Sequence, residues 1–283
     1  MNESLIKEII REFFVSEVEE AQEVGALGYY ARIFAQVTMP HSKPTSNEYE
    51  RHNGQLVLSM LAPSRIGLPY GSIPRLLLAW VTTEAVRTKS PKLILGTSAS
   101  SFLSRLGFEW GGGPRGNATR VRNQMRRLFS ATVSCSIEAD GYTADAGFRV
   151  ASSSELWWDP KQPDQQDFWE SNVTLSDEFF RSITARPVPV DMVALKTLCR
   201  SPLSLDLYTW LTYRYSYLRK DTTIPWEALH AQFGADYGRV RDFKAKTLRA
   251  LGSVGKVYPA ARFDVVREGL VIHPSRTHIP KSE

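Results

Sequence analysis

The chain has 283 residues, of which 42% are hydrophobic and 23% charged, a composition that argues against a disordered or fibrous protein and is sufficient for ordinary apolar cores. At this length two domains are the default expectation. The formal net charge is +5, a mild basic excess that favours a polyanionic partner only where it is concentrated on one surface.

The first residues and the cysteines favour a cytoplasmic location. Charged side chains interrupt the first apolar residues, so no signal peptide is predicted. The apolar run at 76–81 is far shorter than the roughly 20 residues that span a bilayer. Cys135 and Cys199 form no CxxC pair, which predicts neither a disulfide framework nor a zinc site. We therefore expect a soluble protein that has no membrane partner and no metal or other cofactor.

The N-terminal segment, residues 1–54, is predicted to be a helix followed by a linker. Apolar residues recur at helical spacing over 4–24, at positions that include Ile6, Ile9, Ile10 and Phe13. This helix either packs on the body of the protein or forms a homodimer with a second copy. Residues 38–54 are rich in proline, serine and asparagine, which predicts a loop.

The first half of the chain is predicted to alternate helices and strands. A strand at 56–61 precedes a helix from Ser72 to about Arg87, in which Ser72 is the expected cap and Pro74 lies in the first turn. The remaining predicted elements are a strand at 92–95, a short helix at 98–106, a glycine-rich loop at 111–116, a basic helix at 117–129, and a hairpin with strands at 131–138 and 145–151 around Asp140-Gly141.

The second half repeats this order after a turn-rich connection at 155–172. The predicted elements are helices at 176–184, 190–200 and 202–218, a strand at 222–224, a helix at 225–233, a basic helix at 237–251 and a hairpin at 256–273 that turns near Glu268-Gly269. Each half thus has an apolar helix, a strand, a short helix, a basic helix and a hairpin, which is the order of a winged helix. We predict a helix-rich α+β fold with two tandem winged-helix domains, at 55–155 and 173–276.

Positive charge is concentrated on the two basic helices. Residues 114–130 hold five cations and no acid, and residues 236–256 hold six cations and two acids, a net of +4. The two windows together exceed the net charge of the whole chain, so the remainder is net acidic.

Helical spacing places the cations of each basic helix outside its apolar stripe. The stripe is Val121, Met125, Leu128 and Phe129 in the first helix, and Val240, Phe243, Thr247, Leu248 and Leu251 in the second. A basic helix face is often only solvated, but two of them at equivalent places favour contact with DNA phosphates and bases. The predicted DNA-binding residues are Arg115, Arg120, Arg122, Arg126, Arg127, Arg239, Arg241, Lys244, Lys246 and Arg249.

Long stretches of the sequence resemble the plasmid-encoded RepA replication initiators of Gram-negative bacteria. They are IGLPYGSIPRLLLAWVTTEAVRTKSPKLILGTSASSFLSRLGF, GGGPRGNATRVRNQMRRLF, LWWDP, VTLSDEFF and VPVDMVALKTLCRSPLSLDLYTWLTYRYSYL. The resemblance covers roughly residues 55–275 and leaves out the first 50.

The resemblance implies a bacterial cytoplasmic protein with tandem winged helices. Such proteins bind repeated double-stranded DNA sites, called iterons, at a plasmid origin, help to open adjacent AT-rich DNA, and recruit host replication proteins such as the helicase and the host initiator. Many proteins in the wider group also form homodimers and repress their own promoter.

Two alternatives remain open from the sequence. A winged-helix transcriptional repressor without a replication role would need the same basic helices. A nicking enzyme is disfavoured, because the five histidines include no His-x-His pair and the tyrosines at 208–217 lie in an apolar helix. The glycine-rich loop also lacks the Gly-Lys-Ser/Thr of a P-loop, so no catalytic residue is assigned.

Overall fold

The computed structural model describes residues 26–96, 98–109, 111, 113, 115–139, 142–156, 171–234 and 237–280. Within these ranges the helices are α1 (Arg32–Gln36), α2 (Ser72–Thr88), α3 (Ala99–Arg105), α4 (Asn117–Ser130), α5 (Asp177–Ala185), α6 (Met192–Thr197), α7 (Pro202–Tyr215), α8 (Trp226–Phe233) and α9 (Val240–Val257). The strands are β1 (Leu27–Tyr30), β2 (Glu48–Asn53), β3 (Leu56–Leu61), β4 (Lys92–Gly96), β5 (Thr132–Ala139), β6 (Tyr142–Arg149), β7 (Ala151–Glu155), β8 (Ser171–Leu175), β9 (Val188–Asp191), β10 (Thr222–Pro225), β11 (Phe263–Val265) and β12 (Gly269–Ile272).

The segment before β2 is bound to the second half of the chain. Strand β1 pairs antiparallel with β9, with Leu27 opposite Asp191 and Tyr30 opposite Val188. Tyr30 and Phe34 are buried. The predicted helix at 4–24 lies outside the described residues.

A four-stranded antiparallel sheet in the order β2-β3-β5-β6 contains a strand that the sequence analysis assigned to a loop. Residues 48–53, within the predicted linker, form β2, so the loop prediction is wrong there. The reason is that β2 is a polar edge strand, in which exposed residues such as Glu48 alternate with half-buried ones such as Tyr49. Edge strands commonly carry charged side chains, which discourage pairing with another chain, so β2 lacks the apolar alternation that identifies a strand in a sequence.

The hairpin predicted around Asp140-Gly141 is formed by β5 and β6, and β5 hydrogen-bonds to β3. A separate sheet in the order β4-β8-β7 contains the strand that precedes the short helix α3. Strand β7 continues directly from β6, with Val150 between them. Strand β8 was not predicted, because its five residues follow a turn-rich stretch and carry no long apolar alternation.

The second half has the predicted order of elements, with two corrections. Residues 188–191 form the unpredicted strand β9, which shortens the helix predicted at 190–200 to Met192–Thr197, and the hairpin predicted from 256 begins only at Phe263 because α9 occupies the residues up to Val257. Strand β10 pairs with β12, and β12 pairs with β11, so the sheet order is β10-β12-β11. The hairpin turns at Arg267-Glu268, one residue before the predicted position, and the Val266 amide donates to the Gly269 carbonyl across the turn. Helix α9 continues past the predicted end at 251 to Val257 and includes Gly252 and Gly255.

Two apolar helices, α2 and α7, lie at the centre of a continuous core. Leu76, Leu77 and Leu78 are consecutive and all buried, so α2 is enclosed on every side rather than on one face. Ser72 does not cap α2 as predicted. The N-cap residue is Gly71, at φ 77°, a backbone conformation that glycine adopts without steric cost.

No helix in the described part of the chain is long and apolar enough to cross a membrane.

Candidate nucleic-acid interface

Helix α4 buries the stripe that its spacing predicts. Val121, Met125, Leu128 and Phe129 are all buried, and α4 packs against α2 and α3. The glycine-rich loop holds the start of this helix, since the Ala118 amide donates to the Gly111 carbonyl at 3.2 Å. This hydrogen bond connects the first turn of α4 to the loop, which fits the expectation that the glycines shape the beginning of the helix.

The five arginines predicted on or near α4 separate into two groups. Arg115, Arg120 and Arg126 are exposed, whereas Arg122 and Arg127 are half-buried. Arg127 donates from Nη1 to the Leu68 carbonyl at 3.1 Å, and its guanidinium lies 5.4 Å from the ring centroid of Tyr70. Arg127 therefore fastens the loop before α2 to helix α4.

Replacing Arg127 with alanine should lower the free energy of unfolding by about 1 kcal/mol, because one charge-assisted hydrogen bond and one cation–π contact are lost at a partly exposed site. Urea denaturation measures this change. Replacing the exposed Arg126 with alanine is the matched control and should leave stability within about 0.5 kcal/mol. Equal stabilities of the two variants would contradict the fastening role.

Helix α9 buries Phe243, Thr247 and Leu251, as predicted. Val240 is half-buried, and Leu248 is 38% exposed, so its assignment to the buried stripe is wrong. Viewed around the helix axis, Leu248 lies outside Leu251, at the edge of the apolar stripe. Ala250 and Val254 complete the buried face instead.

Four of the five cations predicted to bind DNA at α9 are exposed. Arg239, Arg241, Lys246 and Arg249 are exposed, and Arg241 has 87% of its side chain accessible. Lys244 differs, because its Nζ lies 4.6 Å from the ring centroid of Trp226. It therefore contacts α8 from a half-buried position, whereas the other four are available to a ligand.

The hairpin that follows α9 is braced by a histidine. His273 lies between two carboxylates, with Nδ1 3.0 Å from Asp221 Oδ1 and Nε2 2.9 Å from Asp264 Oδ2. The hydrogen bonds to Asp221 and then to Asp264 raise the pKa of His273 above its ordinary value. These contacts join the segment before β10 to β11 and to the end of β12.

A buried ionic cluster, which the sequence analysis missed, joins the two apolar helices. Arg75 of α2 donates to Asp206 of α7 from Nε at 2.6 Å and from Nη2 at 2.7 Å. His41 Nε2 lies 2.7 Å from Asp206 Oδ2, the oxygen that also accepts from Arg75 Nη2. The side chains of Arg75, Asp206 and His41 are 1%, 2% and 6% exposed.

The neighbours of Asp206 stabilise its ionised form. Burial opposes the ionised carboxylate, but the Arg75 guanidinium and the His41 hydrogen bond outweigh it and lower the pKa of Asp206. The sequence does contain a signal for the pair, since Arg75 and Asp206 are each a single charge in an apolar run, in helices that take the same place in the two halves.

Comparisons with known proteins agree with the resemblance seen in the sequence. The family described as "Plasmid encoded RepA protein" matches residues 68–228. No functionally curated protein matches the chain.

Solved structures of another protein are similar to this chain. A crystal structure of selenomethionine derivatives of domains 2 and 3 of RctB aligns with a TM-score of 0.54 at 12% identity, over 86% of this chain and 96% of that chain. A second structure of RctB domains 2–3 aligns with a TM-score of 0.49 at 12% identity, over 84% of this chain and 94% of that chain. At this identity the likeness concerns the fold alone. Since the family match spans more than half of the sequence, the chain belongs to the plasmid-encoded RepA family of replication initiators.

Proposed function

We propose that this chain initiates plasmid replication by binding repeated double-stranded DNA sites at the origin through two winged-helix units. The observation that carries the proposal is the pair of basic helices, α4 and α9, which occupy the same position in two similar orders of elements. Each presents exposed cations outside a buried apolar stripe. Exposed rows of arginine and lysine bind the phosphates of duplex DNA, and arginine also reads guanine in the major groove.

The sheet orders support two equivalent units. In the second half the strand before the short helix pairs with the last strand of the hairpin, which gives β10-β12-β11. In the first half the same rule gives β4-β8-β7. We therefore assign the wing of the first unit to β7 and β8, and we regard the β5–β6 hairpin as an insertion that pairs with β3. This replaces the sequence-based assignment of β5 and β6 to the wing.

We also propose the further steps that family membership suggests. They are the opening of AT-rich DNA beside the binding sites, the recruitment of a host helicase and host initiator, and a homodimer that represses the chain's own gene. A location in the bacterial cytoplasm and a role as a binding protein rather than an enzyme belong to the same proposal.

A replication test separates the initiator from a repressor of the same fold. A plasmid whose only replication functions are this gene and its upstream DNA should be maintained in a bacterial host. A frameshift early in the gene is the control and should abolish maintenance. If the plasmid is lost while the protein still binds the upstream DNA and silences a reporter, the repressor is the correct function.

Replacing Arg241 with alanine should weaken specific binding by about 1–3 kcal/mol if this side chain reads a base. Arg241 is suited to this role by its position in the first turn of α9 and its high exposure. Titration of upstream DNA and of a shuffled duplex measures the effect, and the loss should be larger on the upstream DNA. An equal loss on both duplexes would show a phosphate contact instead.

A further inference from the structure

A cleft lies between the start of α7 and one face of α9. Its volume is about 240 Å³, and α7 contributes Ser201 and Leu203 to its lining, while α9 contributes Lys246, Arg249 and Ser253. The cleft is thus formed by the start of the apolar helix α7 and by α9, the helix that we propose to enter the major groove.

The first turn of α7 presents an unused backbone donor. Ser201 Oγ accepts from the Ser204 amide at 3.1 Å, and the Leu205 amide donates to the Ser201 carbonyl at 3.1 Å. Pro202 has no N–H to donate. The amide of the next residue, Leu203, has no acceptor among the described residues. The positive end of the helix dipole adds to this donor, and such a terminus favours an anion.

Two cations face the same space. Lys246 and Arg249 are three residues apart on α9, which places them on one side of the helix, and both are exposed. None of the described residues that line the cleft is acidic. The nearby carboxylate of Asp206 already binds Arg75 and His41, so the charge of the cleft wall is positive.

A buried histidine gives an independent indication of a ligand. His41 is one of the residues that line the cleft, has only 6% of its side chain exposed, and binds Asp206 through Nε2. Its Nδ1 is buried and has no hydrogen-bond partner within the described part of the chain. A buried polar atom without a partner is costly, and ligands or water commonly satisfy such atoms.

We infer that this cleft is a phosphate subsite that holds one backbone phosphate of the bound duplex. The inference rests on the proposed function and deepens it. The Leu203 amide, Lys246 and Arg249 donate to the phosphate, and Ser253 lies beside them. This contact positions α9, whereas Arg239 and Arg241 at its beginning are left to read bases. The basic row of α9 is therefore divided into a reading part and a positioning part.

The test uses the full-length chain and a duplex that carries the upstream DNA of its gene. Replacing Lys246 and Arg249 together with alanine should weaken binding by about ten- to a hundredfold and reduce the salt slope of log K by about 0.9 for the one phosphate lost. The loss should be the same on a shuffled duplex. Lys256→Ala is the matched control, because Lys256 lies on the same helix outside the cleft and is exposed.

Neutral methylphosphonate linkages, placed one at a time along the duplex, identify the phosphate. One linkage should weaken binding of the unchanged protein by about tenfold and should have no further effect on the double variant. Inorganic phosphate is the second probe, and at millimolar concentration it should raise the melting temperature of the unchanged protein more than that of the double variant.

Four results would contradict the inference or the proposed function. A double variant that binds like the unchanged protein overturns the subsite and leaves the proposed function intact. A double variant that is weakened but still responds to every linkage as the unchanged protein does also overturns it. Failure of the unchanged protein to bind any duplex overturns the proposed function itself, and phosphate-dependent stabilisation without DNA binding would show that the cleft takes free phosphate.

Discussion

Replacing Asp206 with asparagine is expected to lower the free energy of unfolding by about 3–5 kcal/mol. The substitution keeps the shape of the side chain but removes the charge that compensates Arg75. The guanidinium of Arg75 is almost completely buried and donates two hydrogen bonds to this carboxylate. Breaking a buried ion pair by removing one partner leaves an uncompensated charge in a medium of low dielectric constant.

Urea denaturation followed by circular dichroism measures this loss. Glu84→Gln is the matched control, because Glu84 forms a short ion pair with Arg87 on the surface of the same helix as Arg75. An exposed pair three residues apart contributes about 0.2–0.5 kcal/mol, so the control should change stability little. If the two variants lose the same amount, the buried cluster does not stabilise the fold.

The same pair predicts how stability depends on pH. The pKa of Asp206 is lower in the folded protein than in the unfolded chain, where an aspartate titrates near about 3.9. As the pH falls, the unfolded chain therefore takes up the proton first. The contribution of Asp206 to the free energy of unfolding is complete above the pKa of the unfolded chain and is lost as the pH falls towards the pKa of the folded protein. The difference in stability between the unchanged protein and Asp206→Asn should shrink below about pH 4 and stay constant from pH 5 to 7.

The amphipathic helices could be predicted from the sequence because their pattern is local. In α4, the spacing of Val121, Met125 and Leu128 defines the buried face, and the exposed cations follow from it. In α9 the same reasoning misplaces Leu248, since a side chain at the edge of a stripe is buried or exposed according to its neighbours in space.

Strand partners could not be predicted, because pairing depends on residues far apart in the chain. The β5–β6 hairpin was correctly located, yet its partner is β3, some 70 residues earlier by the register of Leu61 with Thr132. The pairing of β1 with β9 joins residues even further apart. Short strands such as β8 carry too few alternating residues to reveal a sheet before the fold is known.

The buried cluster and the β1–β9 pairing have a common consequence for the two units. Both connect the first half to the second through contacts that are lost if the halves move apart. The spacing between α4 and α9 is therefore set by the core rather than by a flexible linker alone. Under the proposed function, a fixed spacing suits a non-palindromic site in which each basic helix enters its own segment of the major groove.

Neutralising the α9 row should reduce affinity for the upstream DNA by about 10²–10⁴-fold if the two units bind together, because the second contact of a linked pair is intramolecular. The variant replaces Arg239, Arg241, Lys246 and Arg249 with alanine and leaves α4 unchanged. The one phosphate assigned to Lys246 and Arg249 accounts for a fall of about 0.9 in the salt slope of log K, and a larger fall would show that Arg239 and Arg241 contact phosphates rather than bases. A duplex titrated at several salt concentrations gives both quantities.

The control must remove the same charge from elsewhere on the surface. Lys92, Arg181, Arg186 and Lys256 are exposed and lie outside both basic rows, so their joint replacement with alanine should change affinity only slightly. A third variant, with Arg115, Arg120 and Arg126 replaced by alanine, tests the α4 unit and should also lose most of the affinity. If only one of the two basic rows matters, that unit alone binds DNA and the linked-unit mechanism is wrong. If both variants lose affinity but each loss is smaller than the 10²–10⁴-fold expected for linked units, the two helices contact separate DNA molecules rather than one site.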